Sequence, residues 1–128
     1  MRYMGIDYGT KRIGIALSDE GLTLAFPEAV LPNDEDILDE VQKIVVDKGV
    51  ERIVLGESKN FAQEDNAIMP AVRQFMADLK VVTGKEIVLE PEFLTSQQAE
   101  YFQGKTNKTD SSAAAIILQS YLDREKNK

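Results

Sequence analysis

Acidic residues at three places in the chain could carry chemistry. Asp7 closes an apolar segment, Glu92 follows Pro91, and Asp110 opens the last amphipathic segment. Each has an ordinary structural explanation, as a turn residue, an exposed loop residue or a residue stabilised by a helix dipole. If the three carboxylates converge, any two that lie about 4 Å apart repel each other by roughly 4 kcal/mol at an effective dielectric near 20. A divalent cation would neutralise them, and such ions activate water for in-line displacement at phosphorus.

The composition restricts which chemistry is available. The 128 residues include no Cys and no His, which excludes disulfides, thiol nucleophiles, Cys-type zinc sites and a histidine base. A metal held by oxygen ligands alone would be a hard cation such as Mg²⁺ or Mn²⁺. The net charge of −7 argues against nucleic-acid binding by bulk charge, although a local basic patch beside a metal stays possible.

Several polar side chains near the acidic residues could hold a phosphate backbone. Lys11 and Arg12 lie in the first turn, and Lys105 and Lys108 precede the last amphipathic segment. Each would add a salt-sensitive phosphate contact, and the alternative is that they are ordinary surface cations. Asn60, after the fourth predicted strand, could bond a phosphate or a base, or could simply shape a turn.

Hydrophobic periodicity predicts the elements that must position these residues. Short apolar runs bounded by turn residues predict five strands: Tyr3–Asp7, Ile13–Ser18, Leu22–Leu31, Arg52–Leu55 and Ile87–Glu90. Pro27 and Pro32 place the third strand at a sheet edge. A polar loop is expected from Gly56 to Gln63.

Apolar residues at helical spacing predict the helices. The first is capped by Asn33 and ends at Gly49, and the second has Pro70 in its first turn and ends at Thr83. Capping-box spacing opens a short helix at Thr95 that runs to about Phe102. The last helix is capped by Thr109 and extends to about Arg124, with Ala114, Ile117, Leu118 and Tyr121 along one side.

Leaving the short helix aside, the order is β-β-β-α-β-α-β-α, which predicts an α/β fold with a mixed five-stranded sheet and helices on its faces. Asp7 would end a central strand, where ligands of open α/β sheets gather. The length fits one domain over residues 1–128. No apolar run is long enough for a membrane span, and the N-terminus lacks a signal-peptide core, so we expect a cytoplasmic protein that does not enter the membrane.

The motifs also resemble a known family. Met4–Ala16 (MGIDYGTKRIGIA) closely resembles the opening motif of the YqgF-like proteins, which are bacterial relatives of the RuvC resolvases with a ribonuclease H-like fold. The segment Asp110–Leu122 looks like that family's closing helix. Glu92–Ser96 is similar to its Glu-Arg-Leu-Thr segment. The resemblance spans nearly the whole chain in the same order.

The resemblance implies a ribonuclease H-like sheet with helices on both faces and metal-dependent phosphodiester hydrolysis. It also implies maturation of the 5′ end of the 16S ribosomal RNA precursor, with Asp7, Glu92 and Asp110 as the metal-binding catalytic residues. RNA is then favoured over branched DNA as the substrate, ribosomal precursor particles are possible partners, and the chain would act as a monomer or a homodimer.

Three alternatives stay open. The family was earlier proposed to resolve Holliday junctions. A catalytically degenerate RNA-binding protein is the second alternative, and it is favoured by Phe93, where the family usually has Arg. The chain also departs from the family after the fourth strand, where Gly56-Glu57-Ser58 replaces Gly-Leu-Pro. Glu57 is then either an added metal ligand or a plain loop residue. Sugar kinases and actin-like ATPases share an Asp-x-Gly-Thr signature, but they need two such domains, more than 128 residues supply.

Overall fold

A computed structural model of the protein describes residues 1–57, 68–91 and 109–126, and describes the backbone alone at residues 57 and 109–112. The elements are β1 (Arg2–Tyr8), β2 (Arg12–Ser18), β3 (Ala25–Pro32), α1 (Ile37–Lys48), β4 (Val50–Glu57), α2 (Met69–Thr83), β5 (Glu86–Pro91) and α3 (Thr109–Lys126). The predicted order is confirmed. The short helix predicted from Thr95 to Phe102 lies outside the described residues.

The five strands form one mixed sheet in the order β3-β2-β1-β4-β5. β1 pairs antiparallel with β2, and β2 pairs antiparallel with β3. β4 pairs parallel with both β1 and β5. β1 is therefore the central strand and β3 is an edge strand, as predicted.

Alternation along β1 sends its side chains into two separate cores. Met4 and Ile6 are fully buried on one face, in a cluster with residues of α1 and α2. On the other face, Ala114 and Leu118 of α3 pack in a second cluster. Burying an Ile or Leu side chain contributes about 1.5–3 kcal/mol, so both layers hold the sheet, and the predicted helices on both faces are confirmed.

The third strand begins later than predicted. It starts at Ala25 rather than at Leu22, because Asp19 organises the preceding residues as a loop. Asp19 Oδ1 accepts hydrogen bonds from the backbone N–H groups of Thr23 and Leu24 at 2.7 and 3.0 Å. Leu22 has a φ of 58°, a left-handed conformation that is incompatible with a strand.

Two further expectations about element ends are corrected. Asn33 does not cap α1, whose N-cap is Asp36 with no side-chain cap hydrogen bond; Asn33 instead donates from Nδ2 to the Gly9 carbonyl oxygen. Gly56 and Glu57 were expected in a loop, but they belong to β4, because pairing with β5 extends β4 to Glu57; the rest of the predicted loop lies outside the described residues.

The predicted helix ends are confirmed. α1 and α2 are followed by Gly49 and Gly84 at φ 66° and 67°, the left-handed conformation that glycine adopts at helix C-termini. No helix in the described part of the chain is long and apolar enough to cross a membrane.

Candidate active site

Asp7 is half-buried near the carboxyl end of β1. It pairs across the sheet with Gly14 of β2. Directly opposite residues of an antiparallel pair point to the same face, so the residue directly opposite Asp7 on that strand carries no side chain. Gly5, two residues earlier and hence on the same face, packs against α3. The Asp7 carboxylate therefore belongs to the α3 face of the sheet.

The first turn of α3 lies at the same end of the sheet as Asp7. The ring of Tyr3 contacts the ring of Tyr121, with centroids 6.1 Å apart. Further along β1, an added Cβ on Gly5 would lie 2.7 Å from both the Ala114 carbonyl oxygen and Leu118 Cβ. The helix thus runs antiparallel to β1. From Ala114 back to residue 110 the helix rises by one turn, about 5.4 Å. From Gly5 to Asp7 the strand rises by two residues, about 6.6 Å. Because the two distances are similar, the turn that contains residue 110 lies level with Asp7.

The parallel strands bring two more candidate residues to this edge. β1, β4 and β5 all run in the same direction, so their carboxyl ends lie side by side. β4 ends at Glu57 and β5 ends at Pro91, and Glu92 is the next residue in the chain. The topology therefore brings Asp7 and the backbone of Glu57 to one edge of the sheet, while Glu92 lies outside the described residues.

The other predicted site residues divide between described and undescribed parts of the chain. Lys11 and Arg12 are exposed in the turn that follows Asp7. Asp110 is the second residue of α3, described by its backbone alone. Four predicted residues lie outside the described part: Asn60, Glu92, Lys105 and Lys108.

Asn33 is a residue that the sequence interpretation missed at this edge. Its Nδ2 donates to the Gly9 carbonyl oxygen at 2.8 Å, and its backbone N–H donates to the Lys11 carbonyl oxygen at 2.9 Å. These two bonds attach the end of β3 to the turn that carries Lys11. The signal for this role was weak, because an Asn before a helix usually indicates a cap.

Glu90 is a second residue that the sequence did not single out. It lies on β5 in register with Gly56 and is only 3% exposed. Ser120 Oγ donates to Glu90 Oε2 at 3.1 Å, and Arg124 forms an ion pair with Oε1, although that oxygen has no hydrogen bond of good geometry. Burial raises the pKa of Glu90, against the opposing effects of Ser120 and Arg124. Both partners belong to α3, so Glu90 ties the end of β5 to that helix.

The described carboxylate at this edge, that of Asp7, is a ligand type that suits a hard divalent cation. No group of three acidic side chains that could hold a metal ion is found among the described residues; Asp7 is the predicted ligand whose side chain is described. Its carboxylate is half-buried opposite a glycine, and the chain has no His or Cys to compete. Oxygen-only coordination suits Mg²⁺ or Mn²⁺.

Solved structures with the same architecture define the class of fold. Thermus thermophilus RuvC in complex with a Holliday junction aligns with a TM-score of 0.69 at 16% identity, covering 98% of this chain and 96% of that one. The fowlpox virus resolvase in complex with Holliday junction DNA aligns with a TM-score of 0.61 at 12% identity, covering 98% of this chain and 99% of that one. The protein is therefore a ribonuclease H-like domain with the fold of the RuvC resolvases, as predicted.

The particular family is RuvX. The model of that family, described as Holliday junction resolvase, matches residues 1–124. A relative from Caldanaerobacter subterraneus subsp. tengcongensis is 36% identical over 99% of both chains. One from Streptococcus pneumoniae is 34% identical over 98% of this chain and 99% of its own. Both relatives are named as pre-16S rRNA nucleases. The chain belongs to the RuvX family, a family of nucleases, which confirms the resemblance.

Proposed function

We propose that this protein is a metal-dependent nuclease that hydrolyses a phosphodiester bond during 5′-end processing of the 16S ribosomal RNA precursor. The observation that carries the proposal is the position of Asp7. It is a half-buried carboxylate at the carboxyl edge of a central strand, level with the first turn of α3. The choice of substrate is supported by relatives that are named as pre-16S rRNA nucleases.

In this proposal Asp7, Glu92 and Asp110 hold Mg²⁺ or Mn²⁺. When bound, such an ion lowers the pKa of a coordinated water and neutralises charge on the phosphate. Asp7 is placed by β1 and Asp110 by the first turn of α3, and Glu92 follows β5. A metal ion held by carboxylates activates water without a histidine base or a cysteine nucleophile. This matches a chain without His or Cys.

Cationic and polar side chains around this edge bind the substrate backbone in the proposal. Lys11 is exposed, and its backbone carbonyl oxygen is bonded by Asn33, so its position relative to Asp7 is restrained. Arg12 begins β2 beside it. Asn60, Lys105 and Lys108 are assigned to the same role from the sequence.

The remaining parts of the proposal concern the setting of the reaction. We place it in the cytoplasm, on ribosomal precursor particles, with residues 1–128 forming one domain that acts as a monomer or a homodimer. The single domain is supported by a match that covers 99% of this chain and 99% of its relative.

Branched DNA is the alternative substrate. The description of the matching family as Holliday junction resolvase favours it. A second alternative is RNA binding without cleavage, which Phe93 favours because an Arg at that position would contact a phosphate.

The substrate is tested by direct competition between RNA and DNA. Purified protein is incubated in EDTA, and then with Mn²⁺ in excess, with a 5′-extended 16S precursor fragment and with a four-way DNA junction. We expect cleavage of the RNA only after Mn²⁺ is added, and faster than cleavage of the junction. Cleavage of the junction alone would establish the resolvase alternative, and RNA binding without cleavage of either would establish the degenerate one.

A further inference from the structure

We propose that a cavity on the opposite face of the sheet from Asp7 binds one unstacked guanine base of the substrate strand. This inference rests on the proposed function and extends it to base recognition. The cavity has a volume of about 250 Å³ and lies between the end of β1, α1 and α2. Its lining is formed by Tyr8, Asn33, Ile37, Leu38, Ala71, Gln74, Phe75 and Asp78. Ligand pockets usually measure roughly 300–1,000 Å³, so this one suits a single ring system.

The cavity lies at the edge of the sheet where the phosphodiester bond would be cut. Tyr8 follows Asp7 in β1, and successive side chains of a strand point to opposite faces. Ile37 is the first residue of α1. Asn33 holds the turn between β1 and β2 through the Gly9 carbonyl oxygen. In this proposal the strand that reaches Asp7 continues around this edge of the sheet to the mouth of the cavity.

The lining of the cavity includes an aromatic surface that suits a base. The ring of Tyr8 packs against the buried ring of Phe75, with centroids 5.1 Å apart at an angle of 50°. The rest of the lining combines aliphatic residues (Ile37, Leu38 and Ala71) with polar ones (Asn33, Gln74 and Asp78). Proteins that recognise single-stranded RNA stack splayed bases on aromatic side chains of this kind. Tyr8 is half-buried, so part of its ring stays accessible.

The rim of the cavity carries hydrogen-bond acceptors. Gln74 Nε2 donates to Asp78 Oδ1 at 2.9 Å, which fixes the Asp78 carboxylate beside the cavity. Within the described residues, neither Asp78 Oδ2 nor Asn33 Oδ1 accepts a hydrogen bond. Carboxylate and amide oxygens accept hydrogen bonds, so a ligand that bonds these two oxygens must supply donors.

Among the RNA bases, guanine supplies the donors that this rim requires. Its N1–H and N2–H₂ groups are adjacent, so one carboxylate can accept from both. Uracil offers a single N–H between two carbonyl groups, which a carboxylate repels. The rim therefore favours guanine most and uracil least.

The test is direct binding by the metal-free full-length protein, followed through backbone amide NMR shifts. The probes are guanosine 5′-monophosphate, uridine 5′-monophosphate and ribose 5-phosphate. We expect the guanine nucleotide to shift the amides of residues that line the cavity, at lower concentration than the uracil nucleotide, and ribose 5-phosphate to leave them unchanged. Equal shifts from all three probes, or no shifts, would overturn the inference.

Two rim variants and one matched control complete the experiment. Asp78→Ala removes a bidentate contact, which corresponds to a loss of about 5-fold or more in affinity for the guanine nucleotide. Gln74→Ala removes the hydrogen bond that orients the Asp78 carboxylate and should weaken binding in the same direction. Asp47→Asn, at an exposed position on α1, should bind as wild type does. If neither rim variant differs from that control, the inference fails. Because this experiment measures binding and not cleavage, the inference about guanine can fail while the wild type still cleaves RNA.

Discussion

Two carboxylates that are not proposed as metal ligands have opposite environments. Glu90 is buried between β5 and α3, and burial raises its pKa. Asp19 is partly exposed, and hydrogen bonds from the backbone N–H groups of Leu24 and Thr23 lower its pKa. A raised pKa means that the folded protein holds the proton more tightly than the unfolded chain does, and a lowered pKa means the reverse. The two residues should therefore affect stability with opposite dependence on pH.

We predict that the stability difference between wild type and Glu90→Gln falls as pH rises. The contribution of Glu90 is fully present below its ordinary pKa of 4.5 and is lost as pH rises through its higher folded value. Urea unfolding of both proteins at several values between about pH 4 and about pH 7 measures the difference. A difference that grows with pH would show that the ion pair with Arg124 outweighs burial.

For Asp19→Asn we expect the stability difference from wild type to depend on pH in the opposite direction. The stabilisation from Asp19 is present above its ordinary pKa of 3.8 and is lost as pH falls through the lower folded value. With the titration extended below pH 3.8, the ordinary pKa of Asp19, we predict that the advantage of wild type over Asp19→Asn increases with pH. If both variants follow the same trend, a general charge effect explains the data and the two assigned environments are wrong.

At the scale of elements, the site depends on how closely α3 approaches β1. Gly5 makes this approach possible, because an added Cβ would lie 2.7 Å from the Ala114 carbonyl oxygen and from Leu118 Cβ. Both are parts of the helix that cannot move without shifting it. The position of the first turn of α3 relative to Asp7 therefore follows from the absence of one side chain.

We predict that Gly5→Ala destabilises the protein by about 1–3 kcal/mol, the usual cost of overpacking. Cleavage should also slow under conditions where the variant is fully folded, because α3 is displaced from β1. Denaturant unfolding measures the first effect and a cleavage assay measures the second.

Gly21→Ala is the matched control for this change. An added Cβ at Gly21 would meet its nearest atoms at 3.5 and 3.7 Å, ordinary contact distances. We expect this variant to unfold and cleave as the wild type does. Equal stability of the Gly5 and Gly21 variants would contradict the close packing of α3.

Most of the fold could be predicted from the sequence because its elements have strong local signals. Alternating and helical apolar patterns predicted every strand and long helix, and glycines marked the ends of α1 and α2. The errors occurred where polar side chains bond the backbone. Asp19 competes with strand formation near Leu22, which is a known effect of Asp.

The parts of the site that could not be predicted depend on contacts between distant residues. Asn33 has the residue type of a helix cap, but bonds Gly9, 24 positions earlier. The burial of Glu90 depends on Ser120, 30 positions later in the chain. Such contacts leave no local pattern. The place of Asp7 was predictable because it needs only a strand end and a sheet order.

The whole molecule carries a net charge of −7, yet it is proposed to bind a polyanion. Binding must then rely on local cations at the site, and Lys11 is an exposed one in the turn after Asp7. Each phosphate contact releases counterions from the nucleic acid, so affinity decreases linearly with salt on logarithmic scales.

We predict that Lys11→Gln weakens RNA binding and lowers the salt slope by roughly 0.7, the contribution of one contact to a single strand. Binding is measured with the precursor fragment in EDTA at several salt concentrations. Lys80→Gln is the control, at an exposed position near the end of α2. An unchanged slope for Lys11→Gln would remove Lys11 from the substrate site.

The central claim is that Asp7 is a ligand of a catalytic metal, and one comparison tests it most directly. The rate of Mn²⁺-dependent cleavage of the precursor RNA is measured for wild type and Asp7→Asn, with Asp47→Asn as the matched control. Changes to groups that only support metal ligands cost roughly 10–100-fold, so loss of a ligand should reduce the rate by at least about 100-fold while Asp47→Asn cleaves normally. Equal rates for Asp7→Asn and wild type would contradict the claim.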